Sequence, residues 1–409
     1  MLGPNRRVDG SDAPGPADPA SSETSYCRVN NCRYSGEIVS EREESNVSLE
    51  EASRTVIALD RARLQTGREL RGLSQTALAR DAGITAAAVS QFENGHARPT
   101  PGTLLKVSRA LDLPLAYFVR RPGAPGAPEP TAFFRSLRST SAGERRRATA
   151  LVGLVHEVVQ AVEQHVALPP ADAPERRTTD DAGIERAAAE AREHLGLDLH
   201  APVPDVVLAL ERHGIVTARF HVDGRHMDAF SIDYPDRPVV ALGADKGQRD
   251  RSRFDVAHEL GHLVLHGPEH ASTKEAESQA HRFAAAFLMP ASGIRDELPS
   301  RADWERLGQL KRTWEVSIAA LLKRAQTLNR MTDTAYTQAM KTMSARGWRK
   351  REPVDLGPAE RPVLLPKALE VAAAHGVTLE ALAAENGLPL NDVRRLLQHS
   401  LDPRPRVEL

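Results

Sequence analysis

The chain has 409 residues, too many for one small core, so two or three domains of ordinary size are expected. Lys+Arg 54 against Asp+Glu 55 gives a net charge of -1, which excludes a globally basic nucleic-acid binder and confines any such surface to a local patch. Two cysteines, Cys27 and Cys32, exclude a disulfide framework, and the lack of a long apolar run or a secretory leader predicts a cytoplasmic protein that makes no membrane contact.

Residues 1–54 are rich in Pro, Gly, Ser, Asp and Glu and read as a disordered tail. A helical domain is predicted over 55–119, followed by a Pro/Gly linker at 120–130 ("RRPGAPGAPEP") and a helical connector over 131–183 that ends in a polar break at 168–183 ("LPPADAPERRTTDDAG"). From 184 to 350 two helices lead into three short strand-like runs, "IVTARF", "DAFSIDY" and "PVVAL", and then into further helices, including "WERLGQLKRTWEVSIAALLKRAQTL". Residues 351–409 read as a small helical unit with one or two short helices. The fold class is therefore α+β, mostly helical, with a small sheet in the second domain.

In "RELRGLSQTALARDAGITAAAVSQFENGHARPT", Ser74 and Thr85 stand where N-caps would start two short helices, and Gly72 and Gly83 punctuate the turns before them. Leu73, Leu78, Ala79, Ile84, Val89 and Phe92 form a predicted inner face, with Gly95 closing the second helix in the left-handed conformation. The letters "LSQTALA", "AGIT", "VSQFENG" and "RPT" resemble the helix-turn-helix family of phage repressors and Xre-type regulators, a five-helix domain, over roughly residues 58–119. The resemblance implies double-stranded DNA as a partner, with the second helix in the major groove. It places Gln75 on a phosphate and Gln91 at base edges, with Thr85, Ala86, Ala87 and Ser90 on the DNA side and Arg68 pairing with Glu93. Ala86 and Ala87 depart from the family in lacking hydrogen-bonding groups, though each can touch a thymine methyl. The competing reading of this domain is a protein-interaction module.

The stretch "RFDVAHELGHLVLHG" places His258 and His262 four apart, on one face of a helix, where both rings can reach one ion. Glu259, about 100° around the helix, can take a proton from a water that a metal activates. Such a five-letter pattern also arises by chance, so a third ligand is required. Leu265 and Pro268 occupy the places where the metzincin extension needs Gly and His, which excludes that class. His266 lies about 12 Å along the axis from His258, too far for the same ion, and is read as standing behind the ligands or as a satisfied surface histidine. In "STKEAESQAHRFAAAFLMP", Ser272 and Glu275 read as a capping box, which accounts for Glu275. Glu277 instead borders the apolar face, where a carboxylate is costly unless a cation offsets it. Two histidines and one glutamate with an open fourth position form the catalytic and not the structural zinc arrangement, and His281, one turn on from Glu277, can hold a ligand or steady the transition state.

Together, "RFDVAHELGHLVLHG" and "EAESQAHRFAAAFLMP" resemble the ImmA/IrrE family of metallopeptidases, with a zincin-like fold, over roughly residues 184–330. The resemblance implies His258, His262 and Glu277 as ligands of one Zn2+ ion and Glu259 as the base. His281 stands where many members have Asn or Asp. It also implies cleavage of a regulatory protein, a repressor or this chain itself, with a substrate strand pairing beside the zinc, for which "PVVAL" is the candidate edge. A homodimer is left open. The alternative is a zinc-binding transcription factor that uses the metallopeptidase fold as a sensor or scaffold without turnover. An intact Glu259 favours the enzyme, because a scaffold has no chemical need for a carboxylate aimed at water.

Overall fold

The computed structural model describes residues 48–119, 131–133, 141–220, 229–244, 248–267 and 273–401. Helix α1 spans residues 48–57, so helical order starts ahead of the expected boundary at 55. The rest of the tail, with Cys27 and Cys32, and the linker 120–130 lie outside the described residues. Four further helices complete the first domain: α2 (Arg61–Leu70), α3 (Gln75–Ala82), α4 (Ala86–Asn94) and α5 (Pro101–Leu111). Ser74 and Thr85 cap α3 and α4 by accepting from the Ala77 and Ala88 amides. Gly83 and Gly95 end these helices at φ 63° and 75°, where a Cβ would be strained. Leu78, Ala79, Val89 and Phe92 are buried between the helices, and the Arg68 guanidinium donates to both Glu93 oxygens at 2.6 and 2.9 Å.

After strand β1 (Thr131–Phe133) comes the long helix α6 (Ala142–Glu163), started by a capping box of Ser141 and Glu144. The expected helical connector over 131–183 is thus corrected at its start, which is a strand, while residues 167–179 carry no helix, as their polar, proline-containing sequence suggests. Helices α7 (Asp181–His194) and α8 (Val206–Arg212) lead into β2 (Val216–Phe220), β3 (Ala229–Asp233) and β4 (Val239–Gly243). The sheet order is β1-β3-β4-β2, with β2 and β4 parallel and the other two pairings antiparallel. "PVVAL" is therefore a central strand, not the edge expected for substrate pairing, because β2 and β3 take up both of its sides.

Both faces of the sheet are covered, and alternation along the strands decides which core each residue joins. Val216, Ala218, Phe220, Val239 and Ala241 face a core continuous with α6, the helix-turn-helix domain and the C-terminal helices. Val240 and Leu242 face α7, α8, α9 (Arg249–Leu265) and α10 (Lys274–Leu288). After the single turn α11 (Ala291–Ile294) come α12 (Trp304–Trp314), α13 (Ile318–Thr327) and α14 (Asp333–Ala345). The run from 304 to 328 breaks into two helices at Glu315, which takes φ 51°, and Ser317 caps the second.

Among its described residues the C-terminal unit holds three helices, not one or two: α15 (Leu364–Ala374), α16 (Leu379–Glu385) and α17 (Leu390–Leu401). It is tied down by carboxylates that cap helices distant in sequence. Glu352 accepts from the first amides of α13, Glu360 from those of α8, and Glu211 at the end of α8 from Val363 and Leu364 at the start of α15. α17 lies against β2, and its Asp392 takes both ends of the Arg71 guanidinium, at 2.7 and 2.8 Å.

Burial raises the Glu211 carboxyl to about 7, against the pull of its three hydrogen-bond donors. A raised acid pKa means that the folded chain holds a proton which the unfolded chain has lost, so the stabilisation is full below pH 4.5 and fades as pH rises towards 7. The Glu211→Gln variant keeps an acceptor and removes the titration. Its stability relative to the parent should rise by up to about 3 kcal/mol between pH 5 and 8, read by urea unfolding at both pH values.

Candidate metal centre

Helix α9 runs between the sheet and α10 and is buried on nearly every side from Val256 onwards. The glycine of "HELGH" sets how closely α10 can approach: a Cβ on Gly261 would meet the Phe283 ring at 3.0 Å and the Ala280 carbonyl oxygen at 3.1 Å. That close packing brings Glu277 to the histidines. His258 Nε2 and His262 Nε2 lie 3.1 Å apart, and the Glu277 oxygens stand 3.3 Å from the first and 3.6 Å from the second. Ligand atoms about 2.0–2.1 Å from one zinc ion in a tetrahedron are about 3.3 Å from each other, so the triangle has the size of a zinc face. The donor set, two imidazoles and one carboxylate, is also one that zinc accepts.

Glu277 does not depend on a capping accident for its place. Thr273 is the N-cap of α10, accepting from Ala276, and Glu275 turns to Gln279 and Arg282. The expected capping box of Ser272 and Glu275 is corrected accordingly: the helix starts one residue later, and Ser272 lies outside the described residues. Burial pushes the Glu277 carboxyl up, but hydrogen bonds and charge from His258 and His262 hold it down to about 2. It is thus an anion, as a ligand must be.

His266 sits behind the triangle. Its Nε2 donates to Gln279 Oε1 at 2.9 Å, which leaves Nδ1 to accept from His262 Nδ1 at 3.1 Å and turns the lone pair of His262 Nε2 towards the ligand triangle. The carbonyl end of α9 is held by Arg177, which donates to the Leu263, Val264 and His266 oxygens.

Glu259 is buried beside the triangle and accepts from Ser231 Oγ on β3 at 2.8 Å. Burial pushes its carboxyl up to about 8, aided by the nearby Glu277 and Asp255 and opposed by Ser231. A cation in the triangle favours its ionised form. The wall formed by His258, Glu259 and His281 opens into a cleft of about 710 Å³ lined further by Phe254, Tyr336 and Trp348. His281 is exposed to this cleft, its ring 6.0 Å from that of His258, outside the ligand triangle. Sequence reasoning missed Ser231, Gln279 and Arg177, whose contacts come from the placement of β3, the packing of α10 on α9 and the path of the loop before α7. One other group among the described residues, Asp172, His194 and His213, could gather ligand atoms, but it lies at the surface with Asp172 and His213 4.0 Å apart.

On the first domain, Thr85, Ala86, Ala87 and Gln91 are exposed along the start and outer face of α4, and Ser90 is half-buried, accepting from Asn94. Gln75 donates its amide to Glu93 at 2.8 Å, which couples it to the Arg68 pair.

Comparison with known families matches residues 210–326 to Peptidase_M78, the IrrE N-terminal-like domain, and residues 64–118 to HTH_3, the helix-turn-helix. A search of curated proteins finds no match. Among the described residues no helix is long and apolar enough to cross a membrane.

Proposed function

We propose that this chain, a helix-turn-helix domain joined to an IrrE N-terminal-like domain, is a DNA-binding regulator whose second domain is a zinc-dependent endopeptidase acting on a regulatory protein. The observation that carries the reading is the zinc-sized triangle of His258, His262 and Glu277 with the Glu259 carboxylate beside it at the wall of a cleft. A zinc ion held there supplies acidity to water and polarises a peptide carbonyl. Glu259 takes the proton of the attacking water and delivers it to the departing amine nitrogen, while Ser231 fixes the carboxylate. His281, facing the cleft, is placed to hydrogen-bond the carbonyl oxygen as charge builds on it.

Co-expression with phage-type repressors tests the peptidase part. The wild type should shorten a repressor that the Glu259→Gln variant leaves whole, and failure on every repressor tried by a chain that holds zinc would count against it. For the DNA part, α4 offers Gln91 to base edges and Thr85, Ala86, Ala87 and Ser90 to the groove. Gln91→Ala should weaken binding to the chain's own promoter DNA by about 1–3 kcal/mol in a mobility-shift titration. Binding that is insensitive to salt would turn the reading towards a protein-interaction domain.

A further inference from the structure

The sheet edge nearest the metal triangle is already covered by the chain itself. β3 adjoins the site directly: Ser231 hydrogen-bonds Glu259, and Ala229 lines the cleft with His258 and Glu259. One side of β3 is paired with β4, and its other side pairs with β1, antiparallel, with Thr131 opposite Asp233, Ala132 opposite Ile232 and Phe133 opposite Ser231. Along β1 the chain therefore runs from the far end of β3 towards the residue that holds the base. A protein substrate recognised in extended form adds to a sheet edge through main-chain hydrogen bonds, and beside this site the edge it needs is that of β3.

We infer that Thr131–Phe133 holds in cis the strand position that a substrate must take, so that the site is masked by the chain's own segment between the DNA-binding and metal domains. The inference rests on the peptidase reading for its meaning, not for its test. An intramolecular strand competes at an effective concentration on the order of mM, so a free peptide gains access mainly when β1 is lifted. β1 is three residues long, which makes it displaceable by a substrate that pairs over a longer stretch.

Successive amides of a strand point to opposite sides, so adjacent prolines at 132 and 133 must remove at least one amide that faces β3. The probe is a fluorescein-labelled peptide with the sequence of residues 127–136, titrated against zinc-loaded chains and followed by anisotropy. In a Glu259→Gln background, the added Ala132→Pro and Phe133→Pro exchanges should tighten peptide binding by about tenfold or more. If the proline variant fails to keep its zinc, Thr131→Gly, Ala132→Gly and Phe133→Gly together replace it. Equal binding with and without the exchanges overturns the inference, as does no binding to either chain. With Glu259 restored, cleavage of the bound peptide supports the peptidase reading. Binding without cleavage sinks that reading and leaves the masked edge standing.

Discussion

Replacing Glu277 by alanine is expected to strip the chain of its zinc. Two histidines on one helix remain, but they cannot enclose an ion from a second side, and the anion that offsets its charge is gone. Loss of a partner that only orients a ligand costs roughly 10- to 100-fold in metal affinity, and His266→Ala should fall in that range because the triangle itself survives. Glu277→Ala should exceed it. Chelator competition followed by elemental analysis orders the three proteins: wild type tightest, His266→Ala intermediate, Glu277→Ala weakest. Equal zinc in wild type and Glu277→Ala would remove Glu277 from the centre.

The features legible in the sequence are those whose signal is local. Ser74, Thr85, Gly83 and Gly95 announced the ends of α3 and α4 because capping is decided within a few residues. The strands β2, β3 and β4 followed from short apolar runs, and the gathering of His258, His262 and Glu277 followed from helical spacing plus a carboxylate on an apolar border. What escaped depends on partners far along the chain. "PVVAL" reads the same whether central or at an edge, since strand order is set by which neighbours arrive to pair with it. Ser231 carries no pattern of its own and acquires its contact only when β3 is laid against α9.

The C-terminal unit shows the same limit more fully. Its stripes suggest short helices, but the surfaces they cover, β2 on one side and the first domain on the other, lie well over a hundred residues earlier. Val393, Leu396 and Leu397 are buried in the core that also contains Leu78 and Val89 of the helix-turn-helix and Val216 and Ala218 of the sheet. With Asp392 on Arg71 and the Glu211 and Glu360 caps, residues 360–397 bridge the helix-turn-helix to the second domain. Cutting the covalent connection alone would leave this packed bridge in place.

Glu259→Gln separates an enzyme from a scaffold. Glutamine is close in size to glutamate and keeps an oxygen to accept from Ser231, so the variant should fold and retain zinc at the wild-type level. It cannot take a proton from water, and loss of a positioned base lowers turnover by roughly 100- to 10,000-fold. The measurement is cleavage of a repressor by two chains of equal metal content, so that a difference in rate reads proton transfer and not occupancy. Equal cleavage would assign the proton to another group, with His281 on the same wall of the cleft the first to test. If neither chain cleaves but Glu259→Gln regulates its promoter as wild type does, the buried carboxylate has no chemical task. The domain would then serve as a scaffold, packed through residues 360–397 against the first domain.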